Sequence, residues 1–362
     1  MAYELTPLAS VPLAGRCTLG VGGAAQWFAD VTTAAQVGEA CRWAADRALP
    51  LTVLGGGSNV VISEHGVPGL VVRMAIPGRT LTPEGRTLRV TAGAGESWDG
   101  LVETTVGLGA WGLECLSGIP GTVGGTPVQN VGAYGQDVSQ TIEAVTVVDR
   151  QTGVARVMAA AECGFGYRAS RFRSVDANRY IIADVTFALS SEPAPAVTPE
   201  IVRVLGDVTP DTPRLVREAV LTLRRAKGMV VEAGNPDARS VGSFFMNPVL
   251  PVAQADTLAE RAAGQGPPMF PAGPGRVKVP AAWLIEQAGW TRGSGAGPAG
   301  LSSRHALAIV NRGGASAEDV VTCAVRVKRA VLDRFGVALV AEPIFLGFDE
   351  DARVAFLKGT TD

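Results

Sequence analysis

With 362 residues, 47% of them apolar and 18% charged, and a formal net charge of −2, the chain has core material for two or three domains and no basic face for nucleic acid. No apolar run approaches the ~20 residues of a membrane helix, and MAYELTPLASVPLAG lacks the basic start and apolar stretch of a signal peptide, so a cytoplasmic protein without membrane partners is expected. Five scattered cysteines (Cys17, Cys41, Cys115, Cys163, Cys323) without C-x-x-C spacing, and two histidines, His65 and His305, predict neither disulfides nor a metal site.

In chain order, a helix is predicted over 33–47, with Thr32 or Thr33 as N-cap and Ala34, Val37, Cys41 and Ala44 on one face. Pro50 ends it. Leu51 to Leu54 reads as a buried strand running into Gly55-Gly56-Gly57-Ser58-Asn59, and Val60 to Ile62 as a second strand. A strand feeding a glycine cluster gathers bare backbone N–H groups at one spot; beside Ser58 and Asn59 this suits a diphosphate, although a plain turn has the same composition. Leu70 to Val72 and Leu88 to Val90 are further strands. Ser97 caps a helix to about Val106 with Trp98, Leu101 and Val102 inward.

Residues 112–135, GLECLSGIPGTVGGTPVQNVGAYG, hold seven glycines and two prolines, too many for one regular element. An ordered loop of that length is usually functional. Tyr167-Arg168-Ala169-Ser170-Arg171 reads equally as a solvated turn or as donors for a carboxylate. Five prolines between Ser190 and Pro213 predict a linker or surface excursion, and Pro213 opens a helix to about Lys227.

Gly242-Ser243-Phe244-Phe245 follows, then a Pro/Gly-rich loop over 267–274 and a short helix over 283–287 ending near Gly289. Ser316 to Asp319 is a capping box opening a helix striped by Val320, Ala324, Val327 and Val331 and stopped at Gly336. A strand pair is expected from Val337 to Phe348. The mixture is α+β, with no sustained βαβ array.

Several chemistries find no support. Gly20 to Ala25 fits G-x-G-x-x-A without a preceding apolar strand, and no P-loop pattern exists. Ser243 has no histidine in a nucleophile-elbow context, so acyl transfer is unsupported. Glu342, amid Val340-Ala341 and Pro343-Ile344-Phe345-Leu346, is either at a wet edge or held for function, because unpartnered burial raises a carboxyl's pKa.

Taken together, Thr18 to Gly23, Leu54 to Asn59, Gly118 to Gly124, Gln129 to Gly135, Tyr167 to Ser170, Gly242 to Phe245 with Asn247-Pro248, and Trp283 to Gly289 resemble, in this order, the UDP-N-acetylenolpyruvoylglucosamine reductase family. The resemblance runs over nearly the whole chain. It implies the FAD-binding fold of the vanillyl-alcohol-oxidase (PCMH) type in two subdomains, residues 1–72 joined by a C-terminal strand in 343–362 and residues 73–227 with the Pro-rich excursion 190–213. An α+β substrate domain, 228–342, would follow.

It also implies reduction of UDP-N-acetylglucosamine enolpyruvate to UDP-N-acetylmuramate in peptidoglycan precursor synthesis. NADPH would be the hydride donor and FAD, non-covalently bound, the carrier. FAD would be held by Leu54, Gly55, Gly56, Gly57, Ser58, Asn59, Ser117, Ile119, Gly121, Thr122, Gly125, Gln129, Asn130, Gly132, Ala133, Tyr134, Gly135 and Ile182. The UDP-sugar would be held by Tyr167, Lys227, Asn247 and His305. Arg168 would stabilise charge developing on the substrate carboxylate, with Glu342, protonated in its apolar setting, hydrogen-bonding the same oxyanion. Ser243 would protonate the adjacent carbon in a site kept dry by Phe244 and Phe245.

Two departures stand out: Met246 replaces a lysine that many relatives carry, and residues 200–212 contain no tyrosine to close over substrate, leaving Arg203 with a different task. His65, in a turn, is the only histidine in the flavin half, and a covalent flavin tether is not expected. A monomer is expected.

Overall fold

The computed structural model describes residues 4–193, 197–262 and 266–359. Expectations touching residues 1–3, the middle of the Pro-rich excursion and residues 360–362 fall outside them. The described chain forms two compact units. One comprises the segment up to Val11, Ala25–Gly57 and Pro68–Val231; the other comprises Pro12–Ala24, Ser58–Val67 and the chain from Glu232 onward.

In the first unit, a fully antiparallel sheet runs edge to edge as Ala155–Ala159, Ile142–Asp149, Tyr180–Ser190, Thr87–Gly93 and Arg79–Glu84. The helix Trp98–Gly107 starts at Ser97, whose side chain accepts from the Gly100 N–H. Trp98, Leu101 and Val102 pack into one cluster with Val90, Val145, Val147 and Phe187. Full burial of each such side chain stabilises by roughly 1.5–3 kcal/mol. A four-stranded sheet, Leu8–Pro12, Ala24–Val31, Val67–Met74 and Leu51–Leu54, carries the helix Ala34–Ala45, capped by Thr33. Val37, Ala40, Cys41 and Ala44 of that helix pack with Val31, Leu70 and Val72, and with Val148 and Ile181 of the larger sheet.

The second unit is built on the strands Ser240–Ser243, Ala308–Asn311 and Ala299–Leu301. The helix Ala317–Phe335 lies over them, opened by the Ser316/Asp319 capping box and stopped by Gly336 at φ 66°. Ile344–Leu346 pairs in parallel with Val60–Ile62. Three glycines are obligatory here. A Cβ on Gly23 would lie 2.2 Å from the Glu64 carbonyl oxygen, one on Gly66 2.2 Å from that of Ala24, and one on Gly347 2.0 Å from that of Gly66.

Four expectations need correction. The span from Val337 to Phe348 is not a strand pair: only Ile344–Leu346 is a strand, and its partner lies near the start of the chain. Val337, Leu339 and Ala341 are instead buried in the core, and Ala341 makes a single bridge to Phe245. A further helix, Ala352–Leu357, is capped by Asp351, whose carboxylate accepts from the Arg353 and Val354 N–H groups. Within the Pro-rich excursion, Pro199–Leu205 is helical and anchored by fully buried Ile201, so tertiary packing overrides the proline count. The 267–274 loop contains the strand Phe270–Pro271, paired with Arg276–Lys278. The five cysteines are free, and burial pushes the Cys115 thiol up to about 12.

Candidate active site

The residues proposed from sequence divide between the two units. In the first, Leu54 ends its strand buried, and of the glycines after it Gly56 meets the backbone of the 117–135 loop and Gly55 the Thr122 side chain. A Cβ on Gly56 would lie 2.8 Å from Gly121 Cα, and one on Gly55 3.0 Å from Thr122 Oγ1, an oxygen that is itself buried with no hydrogen-bond partner. Among the described residues, no protein acceptor takes the N–H groups of Gly56, Gly57 or Thr122. This is a cradle of unspent donors from which side chains are excluded, the chemistry a diphosphate requires.

The loop is held rigidly. Ser117 is fully buried, and its hydroxyl donates to the Glu114 carbonyl oxygen (2.6 Å), so it is spent within the protein. Glu114, also buried, accepts from Gln136 Nε2 and from the Gly112 N–H. Gly132 and Ala133 pair with Asp137 and Gln136 in a small hairpin whose turn residues, Tyr134 and Gly135, both have positive φ (50° and 85°). Asn130 is buried at φ 46° and donates to the Gly166 carbonyl oxygen. Ile119 packs on the core under the larger sheet, Ile182 is buried in it, and Gly125 has open space where a side chain would project.

Arg168 sits in a tight turn at φ 52°, and its guanidinium donates to the carbonyl oxygens of Gly132 (2.9 Å) and Asn130 (3.4 Å). Left-handed backbone at three non-glycine residues, Asn130, Tyr134 and Arg168, is stored strain of the kind that clusters at functional sites. Arg173 donates to Gln129 Oε1, Tyr167 is half-exposed beside the Arg168 guanidinium, and Lys227, at the end of the helix Pro213–Ala226, places Nζ 5.3 Å from the Tyr134 ring.

In the second unit, Ser243 ends its strand in register with Ala308. The chain beyond it is gripped from both sides: the Phe244 N–H donates to the Leu307 carbonyl oxygen (2.8 Å), and the Glu342 N–H donates to that of Phe244 (2.9 Å). The buried Glu342 is therefore bonded to the residue that follows Ser243. Phe244 and Phe245 are core residues, 0% and 1% exposed. Asn247 Oδ1 accepts from the Ala281 N–H. His305 lies in the turn before Ala308, its N–H on Ser302 Oγ. The Ser58 and Asn59 side of the glycine cluster belongs to this unit, where the Asn59 carbonyl oxygen accepts from the Ile344 N–H.

Several residues that shape the loop were not foreseen. Asp99 accepts both Arg217 and the Gly118 N–H; burial would raise its carboxyl, but these partners hold it below the usual carboxylate range. Burial also presses the Arg224 guanidinium below the usual arginine range, and its Nε has no hydrogen-bond partner. The helix Pro213–Ala226 was legible, but an acid in the first turn of one helix gives no sign that an arginine of another reaches it.

Residues 25–158 match the FAD binding domain family, and residues 235–346 match the UDP-N-acetylenolpyruvoylglucosamine reductase C-terminal domain family. With the cradle described above, this defines an α+β flavoprotein with the FAD-binding fold of the vanillyl-alcohol-oxidase type. A UDP-N-acetylenolpyruvoylglucosamine reductase from Thermobifida fusca is 46% identical over 348 residues, covering 93% of this chain and 97% of its own length. One from Mycobacterium tuberculosis is 45% identical over 357 residues, covering 93% and 95%. A solved UDP-N-acetylenolpyruvylglucosamine reductase from Thermus caldophilus is 27% identical with a TM-score of 0.64, covering 94% of this chain and 99% of that one. The chain belongs to the UDP-N-acetylenolpyruvoylglucosamine reductase family.

Because a Cβ at Gly56 would press on backbone rather than on a yielding side chain, Gly56→Val is expected to purify with most of its FAD lost. Visible flavin absorbance per mole of protein measures this; wild-type flavin content would remove the glycine contact from the site.

Proposed function

We propose that this chain catalyses the NADPH-dependent reduction of UDP-N-acetylglucosamine enolpyruvate to UDP-N-acetylmuramate, a step in peptidoglycan precursor synthesis. The observation that carries this reading is family membership across nearly the full length of this chain and its relatives. Bound FAD supplies the redox chemistry, taking reducing equivalents from NADPH and passing them to the enolpyruvyl group. The protein does the rest.

Arg168, oriented by two carbonyl oxygens, keeps a fixed cation for the substrate carboxylate as negative charge develops there, a role worth several kcal/mol in a dry site. The Ser243 hydroxyl delivers the proton to the adjacent carbon, and Glu342 serves as a hydrogen-bonding acid in the reduction. Tyr167, Lys227, Asn247 and His305 hold the nucleotide sugar. FAD is contacted by residues 54–59, by the 117–135 loop and by Ile182. In domain terms, 1–72 with 343–362 and 73–227 serve FAD, and 228–342 serve the substrate. The match to an FAD binding domain over 25–158 supports a flavin role for that stretch, and the match over 235–346 supports a separate C-terminal domain.

The reading extends to a cytoplasmic monomer without nucleic-acid or membrane partners. The slightly acidic composition supports the lack of a nucleic-acid partner, and among the described residues no helix is long and apolar enough to cross a membrane. The test is NADPH oxidation with and without UDP-N-acetylglucosamine enolpyruvate. We expect substrate-dependent loss of NADPH absorbance with matching product by mass spectrometry; a rate indifferent to that substrate overturns the reading.

A further inference from the structure

The Ser117–Gly121 stretch is turned sharply, with φ +69° at Gly118 and +123° at Gly121. Ser117 is spent on Glu114, through both its hydroxyl and its N–H, so nothing within the loop itself fixes the next peptide. The Gly118 N–H is fixed instead by Asp99 Oδ1 at 2.6 Å. Asp99 is held in turn by the Arg217 fork, with Nη1 to Oδ1 at 2.6 Å and Nη2 to Oδ2 at 3.0 Å. Arg217 lies mid-helix in Pro213–Ala226 and is 8% exposed.

The same helix touches Gly118 directly: a Cβ there would lie 2.8 Å from Leu221 Cδ2 and 3.4 Å from Arg224 Nε. Helix 98–107 thus holds one peptide of the loop through the Asp99 carboxylate, and helix 213–226 holds that carboxylate through the Arg217 fork. A bidentate arginine–carboxylate pair is geometrically restrictive, more so than one hydrogen bond. It fixes where the carboxylate points, and hence where Gly118 sits.

We propose that Asp99 and Arg217 are positioning residues that hold Ser117–Gly121 in the conformation that receives FAD. This rests on the assignment of residues 117–122 to the flavin. Neither side chain needs to touch the cofactor; they act through Gly118. With the pair intact, FAD meets a preformed turn; without it, binding must also order the turn, and affinity falls.

The test uses the full-length apoprotein reconstituted with FAD. Asp99→Asn keeps the shape but loses the fork and leaves Arg217 buried without its counterion, which can harm folding by itself. The double variant Asp99→Leu with Arg217→Met replaces the ion pair by apolar groups, an exchange that proteins commonly tolerate. It removes only the hold on Gly118. Arg79→Met serves as a control: it breaks an ion pair with Glu96 and hydrogen bonds to the Gly100 carbonyl oxygen and Thr104 Oγ1 of the same helix, but none to residues 117–121.

We expect the double variant to retain a folded apoprotein but to raise the FAD dissociation constant about tenfold, the worth of one charged hydrogen bond. Its amide exchange should quicken at residues 118–121, and the visible flavin band should shift. The control should bind FAD like wild type. A folded double variant with wild-type FAD affinity and exchange overturns the positioning role, as does a control that loses as much affinity. In the wild type, FAD should slow exchange across 117–122. Failure of that arm alone overturns the flavin assignment of the loop, and this inference with it.

Discussion

Ser243→Ala is expected to cut product formation by about 10²–10⁴-fold, the contribution of a well-placed proton donor, with FAD content and nucleotide affinity close to wild type. The backbone argues for this selectivity. Ser243 ends a strand whose register is fixed by Ala308, and the next peptide is bonded on both sides, to Leu307 and Glu342. Removing one oxygen from a half-buried position leaves those bonds intact, so the loss falls on chemistry rather than on folding. Rapid-quench measurement on enzyme reduced beforehand with NADPH, then mixed with UDP-N-acetylglucosamine enolpyruvate, separates the two. Wild-type product formation in the first turnover would remove Ser243 from the mechanism.

Phe244→Ala should act on the other side of the ledger. Phe244 is fully buried, packed edge-on against Phe245 at 5.2 Å and Phe345 at 6.3 Å between ring centroids. A cavity there should cost about 3–5 kcal/mol of stability, read as a lower urea midpoint. Activity should fall as well, because the backbone bonds to Leu307 and Glu342 beside Ser243 run through this residue. Loss of activity with an unchanged midpoint would mean that Phe244 contributes to the site directly and not through packing.

What could be read from sequence was local. The helices beginning at Ala34, Trp98 and Ala317 announce themselves by a capping side chain followed by an apolar stripe, and the structure places each within a residue or two of the expected start. The broken character of 112–135 was legible from its glycines. The Asp351 cap of the last helix is a signal of the same kind.

The remainder depended on distant partners. Pro199–Leu205 is helical because Ile201 finds a core made by Trp111, Val216 and Val220, and nothing within the excursion shows that core. Val337 to Val340 have strand composition, yet buried positions claim Val337 and Leu339, and the backbone meets a single partner segment. For the candidate site, family resemblance supplied roles for Arg168, Ser243 and Glu342 that local chemistry only allowed. The residues that aim them, such as Glu114, Asp99 and Arg217, lie outside every recognisable motif.

The glycine contacts among Gly23, Glu64, Gly66 and Gly347 bear on how the molecule is made. They join three stretches of chain at backbone distance, and the last of these is also where Ile344–Leu346 supplies the parallel partner of Val60–Ile62. A ribosome delivers these stretches far apart in time. Val60–Ile62 therefore emerges as a bare, fully apolar strand edge and stays so until almost the whole protein has been synthesised. The second unit closes late, from pairings of very long sequence separation, which are the slowest kind to form. A nascent chain that ends before Ile344 leaves that edge unpaired, the kind of surface that makes partly folded chains prone to aggregate.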